Sequence, residues 1–206
     1  MSSRAVPVPE TSDVVPALRG TLRSATRHEH EATERSFRLM RASITPAEYL
    51  GILERFYGYY APLERAVQRA SEHHLAGVRL PDHTRAARLR RDLAAQGGAH
   101  AHLATSSALP ALDSAAKVIG CLYVIEGAAL GGQLIARHLA TTLDVSPAHG
   151  GAFFHGDGDL TLARWQGFLA VLHAFGAAHP ASHGACVGAA LATFQTLRRW
   201  YEGAAS

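Results

Sequence analysis

Three glycines crowd the most apolar long helical segment of the chain: Gly127, Gly131 and Gly132, in the run Val124-Ile125-Glu126-Gly127-Ala128-Ala129-Leu130-Gly131-Gly132-Gln133. On a helix the positions i, i+4 and i+5 share one side, and each glycine there costs about 0.8–1 kcal/mol relative to alanine. Two readings account for that cost. Either another helix approaches closely, or bare backbone is needed where something large and flat presses against it. The second concentration of chemistry is His28-Glu29-His30-Glu31 with Glu34. His30 and Glu34, at i and i+4, can share a metal ion. A carboxylate-bridged di-iron bundle would need two Glu-x-x-His motifs on different helices, and the sequence contains no such pair. His28 and Glu31 read as a solvated charged face, whereas His30 shares its side with Thr26. A single neutral imidazole facing an interior is a means of holding haem iron axially.

Other chemistries are excluded by what is missing. There is no Gly-x-Ser-x-Gly elbow for a serine nucleophile, no Gly-x-x-x-x-Gly-Lys for phosphates and no Cys-x-x-Cys. Gly156-Asp157-Gly158-Asp159 resembles part of a calcium loop but lacks the closing glutamate, so it reads as a turn. The 206 residues are 48% hydrophobic and 18% charged, which is globular rather than disordered. The net charge of +3 comes without a Lys/Arg run, so no nucleic-acid partner is expected. Cys121 and Cys186 lie in apolar surroundings and read as buried thiols of a reducing compartment. No basic start followed by an apolar run suggests secretion. Residues 165–197 lack Asp, Glu, Lys and Arg, but Pro180, glycines and histidines interrupt them short of a membrane span. The expectation is a cytoplasmic protein with no membrane partner.

The elements that must position these residues are helical. Residues 1–16 carry three prolines and read as a loosely docked tail; residues 17–206 form the domain. A first helix runs from Pro16 or Ala17 to about Phe37, with Arg23, Thr26, His30 and Glu34 beside its thin apolar stripe. Thr45-Pro46-Ala47-Glu48 predicts a capped helix start, followed by an aromatic-rich helix through Phe56, Tyr57 and Tyr60. Pro62 should bend that helix or shift its hydrogen bonding near Gly58. Asp82 or Thr84 can cap a third, charged helix ending at Gly97-Gly98. The glycine run lies in a helix from about Asp113 to Leu143. Another begins at Thr161 with Gly176 placed to end it, and a last runs from about Ser182 to Glu202. With no period-two alternation, the chain reads as an all-α single domain of six or seven helices.

Taken together, these motifs are similar to one family. Leu22-Arg23-Ser24-Ala25-Thr26-Arg27-His28-Glu29-His30-Glu31-Ala32-Thr33-Glu34 resembles the proximal helix of haem oxygenases, and Glu126 to Gln133 resembles their glycine-rich distal helix, especially in the bacterial branch. The aromatic helix around Phe56-Tyr57-Gly58-Tyr59-Tyr60 matches in content and order, and Trp165-Gln166-Gly167-Phe168 matches less specifically. The resemblance implies a bundle with haem b, both cofactor and substrate, clamped between the two helices. It implies His30 as the iron ligand, with Glu34 orienting the imidazole or its bound water. Arg23, two turns and roughly 10 Å before His30, would reach a haem propionate. Gly127, Gly131 and Gly132 would admit the distal haem face, and Tyr60 would join the distal hydrogen bonds. The implied reaction uses dioxygen and electrons from an external donor (a ferredoxin, flavodoxin or reductase) and yields biliverdin, carbon monoxide and ferrous iron. A biliverdin-binding photoreceptor is then a conceivable downstream partner.

One position departs from the pattern. After the first distal glycine the family often has an aspartate that anchors catalytic water, and here it is Ala128. That leaves Tyr60 and Glu126 as candidates to hold the water. It also keeps open a non-catalytic haem-binding or haem-sensing protein of the same fold, and an unrelated chemistry on this architecture, such as thiamin degradation.

Overall fold

The computed structural model describes residues 17–80 and 84–203. Its elements are α1 (Leu18–Phe37), α2 (Pro46–His74), α3 (Arg85–Ala95), α4 (Ala115–Leu143), the single turn α5 (Ala152–His155), α6 (Thr161–Ala178) and α7 (His183–Gly203). Among the described residues there is no strand, only isolated bridges at Ser146, so the all-α expectation holds. The proline-rich tail and the candidate cap Asp82 lie outside the described residues.

Local signals explain most helix boundaries. Thr45 and Glu48 form the expected reciprocal cap of α2, with Pro46 at its first position. Ser114 caps α4 by accepting from the Lys117 amide. Pro62 leaves α2 continuous. The Gly58 carbonyl, which no amide at position 62 can reach, accepts instead from the Ser106 amide at 2.9 Å. The hydrogen bond shifts and the loop before α4 is pinned to α2. Gly58 is required there, because a Cβ would lie 2.6 Å from both the Ala104 carbonyl and the Trp200 ring.

Three boundaries differ from expectation. Thr84 makes no side-chain cap on α3. Glu64 of α2 caps it from outside, its carboxylate accepting from the Arg85 amide at 2.5 Å and the Ala86 amide at 3.0 Å. Gly176 does not end α6, which continues to Ala178; its missing side chain makes room for Leu18, whose Cβ would meet a Cβ at 2.9 Å. Between α4 and α6, where the sequence suggests no helix, stands α5, held by Asp92 of α3, whose carboxylate accepts from the Ala152 and Phe153 amides at 2.8 and 2.7 Å. Anions suit helix N-termini because free amides point at them, but a carboxylate so remote in sequence leaves no local signature.

One core cluster links residues of every long helix. The packing centres on α4, which lies on α7, α6, α5 and α2, while α1 rests on α7 and α6. By length and composition α4 is the one described helix able to cross a membrane, and half of that stretch is buried inside the bundle. Cys121 and Cys186 are buried free thiols, and burial raises them to about 12 and about 11. Where α4 crosses α7, Gly120 packs directly on the Cys186 carbonyl, and a methyl would overlap it. Gly120→Ala is therefore expected to destabilise the fold by about 1–3 kcal/mol or more, the range for overpacked cores, read as a lower denaturant midpoint with an unchanged slope.

Candidate functional site

Although α1 and α4 face each other, they scarcely touch. A cavity of about 340 Å³ separates them, walled by Thr26, His30, Thr33 and Glu34 on one side and by Tyr123, Val124, the run from Gly127 to Gly132, and Ile135 of α4 on the other. Much of its remaining lining is apolar, with Phe56, Phe153, Phe154, Trp165, Phe194 and Leu197. The aromatic positions of α2 and the Asp92-held turn α5 meet there, with Phe56 in edge contact with Phe154 at 5.9 Å. An apolar slot with a few polar groups at defined places is the common form of a small-molecule or cofactor site.

The glycines divide according to what a side chain would meet. At Gly132 a Cβ would lie 2.9 Å from the Phe154 carbonyl, so helix packing accounts for that glycine. At Gly127 a Cβ would meet only the Trp165 ring at 3.6 Å, ordinary contact. At Gly131 it would meet only Glu34 Oε1 of α1 at 3.7 Å, again ordinary contact. Neither position needs glycine for the fold, and both line the slot. Ala128 lines it too, presenting a methyl.

On the opposite wall, His30 Nε2 lies 3.0 Å from Glu34 Oε1, and both side chains are half exposed, at 50% and 58%. The imidazole packs against Phe194, ring centroids 5.4 Å apart. A neutral imidazole has one N–H and one lone pair. Glu34 therefore stands beside the imidazole as the group placed to orient it. His28, by contrast, is exposed outside the cavity, and Glu31 pairs loosely with Arg35 at 3.9 Å on the surface. No three His, Cys, Asp or Glu side chains cluster among the described residues.

Two expected residues are placed differently. Arg23 is exposed and does not line the cavity. Its charge and that of Arg19 act on the Tyr123 hydroxyl from outside the cavity lining. Tyr123, a lining residue, is held above the usual phenol range by burial, with Arg19, Thr26 and Arg23 opposing. Arg19, one turn before Arg23, went unremarked in the sequence although it occupies the same face. Glu126 is corrected outright: it does not reach the cavity. It is buried and bonded to Arg164 of α6 at 2.7 and 3.1 Å, and Arg164 also approaches Asp157 at 3.5 Å. Glu126 thus joins α4 to α6 and is no candidate to hold a water in the slot.

Tyr60 is where expected, in the cavity wall. Beside it stands Arg85, the first residue of α3, which sequence reasoning missed. It is 8% exposed, lines the cavity and donates through Nη2 to the Ile125 carbonyl of α4.

The rim cations should matter in proportion to their exposure. Arg19→Ala and Arg23→Ala are each expected to weaken binding of a dicarboxylate tetrapyrrole by about two- to fivefold, the modest effect of exposed ion pairs. The double variant should show more, and raised salt should shrink the difference. Absorbance titrations of the three variants at two ionic strengths measure this.

The model of the family described as heme oxygenase matches residues 17–203. No curated protein matches the chain. A match over nearly the whole chain, on a helical bundle whose α1 and α4 bound the slot just described, places this protein in the haem oxygenase family.

Proposed function

We propose that the protein is a working haem oxygenase, binding haem in the slot between α1 and α4 and opening it to biliverdin, carbon monoxide and ferrous iron. The observation that carries this reading is the pair Gly127 and Gly131. Packing does not require either, each costs helix stability, and both line the same cavity as His30 and Glu34. A flat ligand pressed against bare backbone, with a histidine on the other side, accounts for all of this.

In this reading His30 would hold the iron, and Glu34 beside it would orient the imidazole. The bare backbone at Gly127 and Gly131 would admit the flat ring, and Arg19, Arg23 and Tyr123 would receive its propionates. Bound iron would supply the activation of dioxygen, with electrons from an external ferredoxin, flavodoxin or reductase. The aromatic inner wall excludes bulk water, and Tyr60 offers a proton donor within the cavity. Burial raises the Tyr60 phenol, so it stays protonated at neutral pH.

The second reading, a haem-binding protein without turnover, is favoured by one observation: Ala128 brings no polar group to the slot. Single turnover separates the two. The reconstituted protein, given oxygen and a reducing system, should lose its Soret band as biliverdin absorbance and carbon monoxide appear in equal amounts. A Soret band that survives, or decays without biliverdin, leaves only the binding reading.

A further inference from the structure

We propose that a groove at the C-terminal end of α1 is a second binding site, one that takes a phosphate-bearing small molecule, whatever fills the slot between α1 and α4. The groove lies between the last turns of α1, the first turns of α2 and the end of α7, with a volume of about 770 Å³. Pockets for small molecules are commonly about 300–1,000 Å³. Among the described residues Phe37 alone lines both the groove and the slot. The buried part of the groove is Ile52 and Tyr201. Around them stand four arginines, Arg35, Arg38, Arg41 and Arg55, against two acids, Glu48 and Glu202.

The acids leave most of that positive charge unmatched. Glu48 accepts from Arg41 at 2.8 Å and from the Thr45 amide at 2.8 Å, and these bonds hold its carboxyl down at about 2. Glu202 stands 3.7 Å from Arg198, which is outside the groove lining. Arg35 is 3.9 Å from Glu31, also outside it. Arg38 and Arg55 have no carboxylate partner among the described residues. The cations nevertheless converge. Burial raises the Tyr201 phenol, while Arg55, Arg41 and Arg38 all act to lower it. The Arg55 guanidinium lies over the Tyr201 ring, 5.2 Å from its centroid, and the hydroxyl donates to the Phe37 carbonyl at 3.2 Å. Like charges held together repel, and a multiply charged anion relieves that repulsion. Ala47, in the first turn of α2, adds the positive end of that helix. Guanidinium forks match phosphate oxygens two at a time. An isolated ion pair at an open surface is weak, but a concave site lets several act on one ligand.

The test titrates pyrophosphate, ADP and adenosine by calorimetry, at constant ionic strength, into protein carrying Arg19→Gln and Arg23→Gln. Those two substitutions keep the arginines beside the slot from taking the phosphates. Pyrophosphate and ADP are expected to bind once per chain, and adenosine at least about tenfold more weakly, as for lost charge-assisted bonds. ADP tighter than pyrophosphate assigns the site to a phosphate ester whose body lies on the apolar lining; equal affinities assign it to the free polyphosphate. Adding Arg38→Gln or Arg55→Gln should weaken pyrophosphate about tenfold, the effect of one hydrogen bond to a charged group. Arg90→Gln removes the same charge from an exposed position on α3 and should change the affinity by less than about twofold, since distant exposed charges are screened. Arg38 is exposed, so its variant keeps the test decisive if Arg55→Gln folds poorly. No binding of pyrophosphate or ADP, adenosine as tight as ADP, or equal losses in Arg38→Gln and Arg90→Gln overturns the proposal. Haemin titration of the same protein reads the slot separately, so a failed haem complex overturns the haem reading alone.

Discussion

Replacing His30 by alanine should abolish the histidine-ligated haem spectrum, while His28→Ala should leave it unchanged. The two residues are two positions apart, about 200° around a helix, so one haem cannot meet both. In the structure His30 is in the cavity wall, 3.0 Å from Glu34 and packed on Phe194, and His28 is exposed elsewhere. Groups that orient a metal-bound histidine are worth about 10–100-fold in affinity, so Glu34→Gln should cost about tenfold. Removing the ligand itself should cost about a hundredfold or more by the same scale. The half-exposed His30–Glu34 pair contributes little to stability, since exposed ion pairs are worth about 0–1 kcal/mol. His30→Ala should therefore fold normally, which keeps the spectral loss interpretable. Ferric spectra of the three variants, with added imidazole tested for rescue of His30→Ala, measure it. Loss in His28→Ala with His30→Ala intact would contradict the assignment.

The glycines should separate stability from binding. At Gly131 a methyl has room, and alanine is the better helix former, so Gly131→Ala should stabilise the apoprotein by about 0.8–1 kcal/mol. It should also weaken haem binding, because the methyl stands where the ligand meets backbone. Gly131→Leu should fold and bind almost no haem. Gly132→Ala should behave oppositely: its Cβ meets the Phe154 carbonyl at 2.9 Å, and overpacking of that kind costs about 1–3 kcal/mol. Chemical denaturation of the apoproteins and haemin titration of each variant give both readouts. A Gly131→Ala protein that binds haem as tightly as the parent would show that the bare backbone is not there for the ligand.

Much of this was legible in the sequence, and for identifiable reasons. Periodicity gave the helices, and local chemistry gave their starts: Thr45 with Glu48 at α2, and the Pro62 effect at Gly58. His30, Glu34, Tyr60 and the glycines were readable because they lie at helical spacings in one or two motifs. What stayed hidden was set by contacts remote in sequence. Gly132 looked like Gly131 until the Phe154 carbonyl was placed against it. Glu126 looked available until Arg164 was found on it. Arg85 stands among four arginines in RAARLRR, and nothing local distinguishes it from its solvated neighbours; only the Glu64 cap, which fixes where α3 begins, turns it inward. Asp92 was hidden in the same way, holding α5 and with it the Phe153–Phe154 wall.

The central claim is that the slot between α1 and α4 is a haem site, and titration of the purified apoprotein with haemin tests it most directly. The expected result is a Soret band that saturates at one haem per chain, with the spectrum of a histidine-ligated ferric haem. Absence of a saturating Soret band, as expected of a protein that puts this architecture to unrelated chemistry, would contradict it.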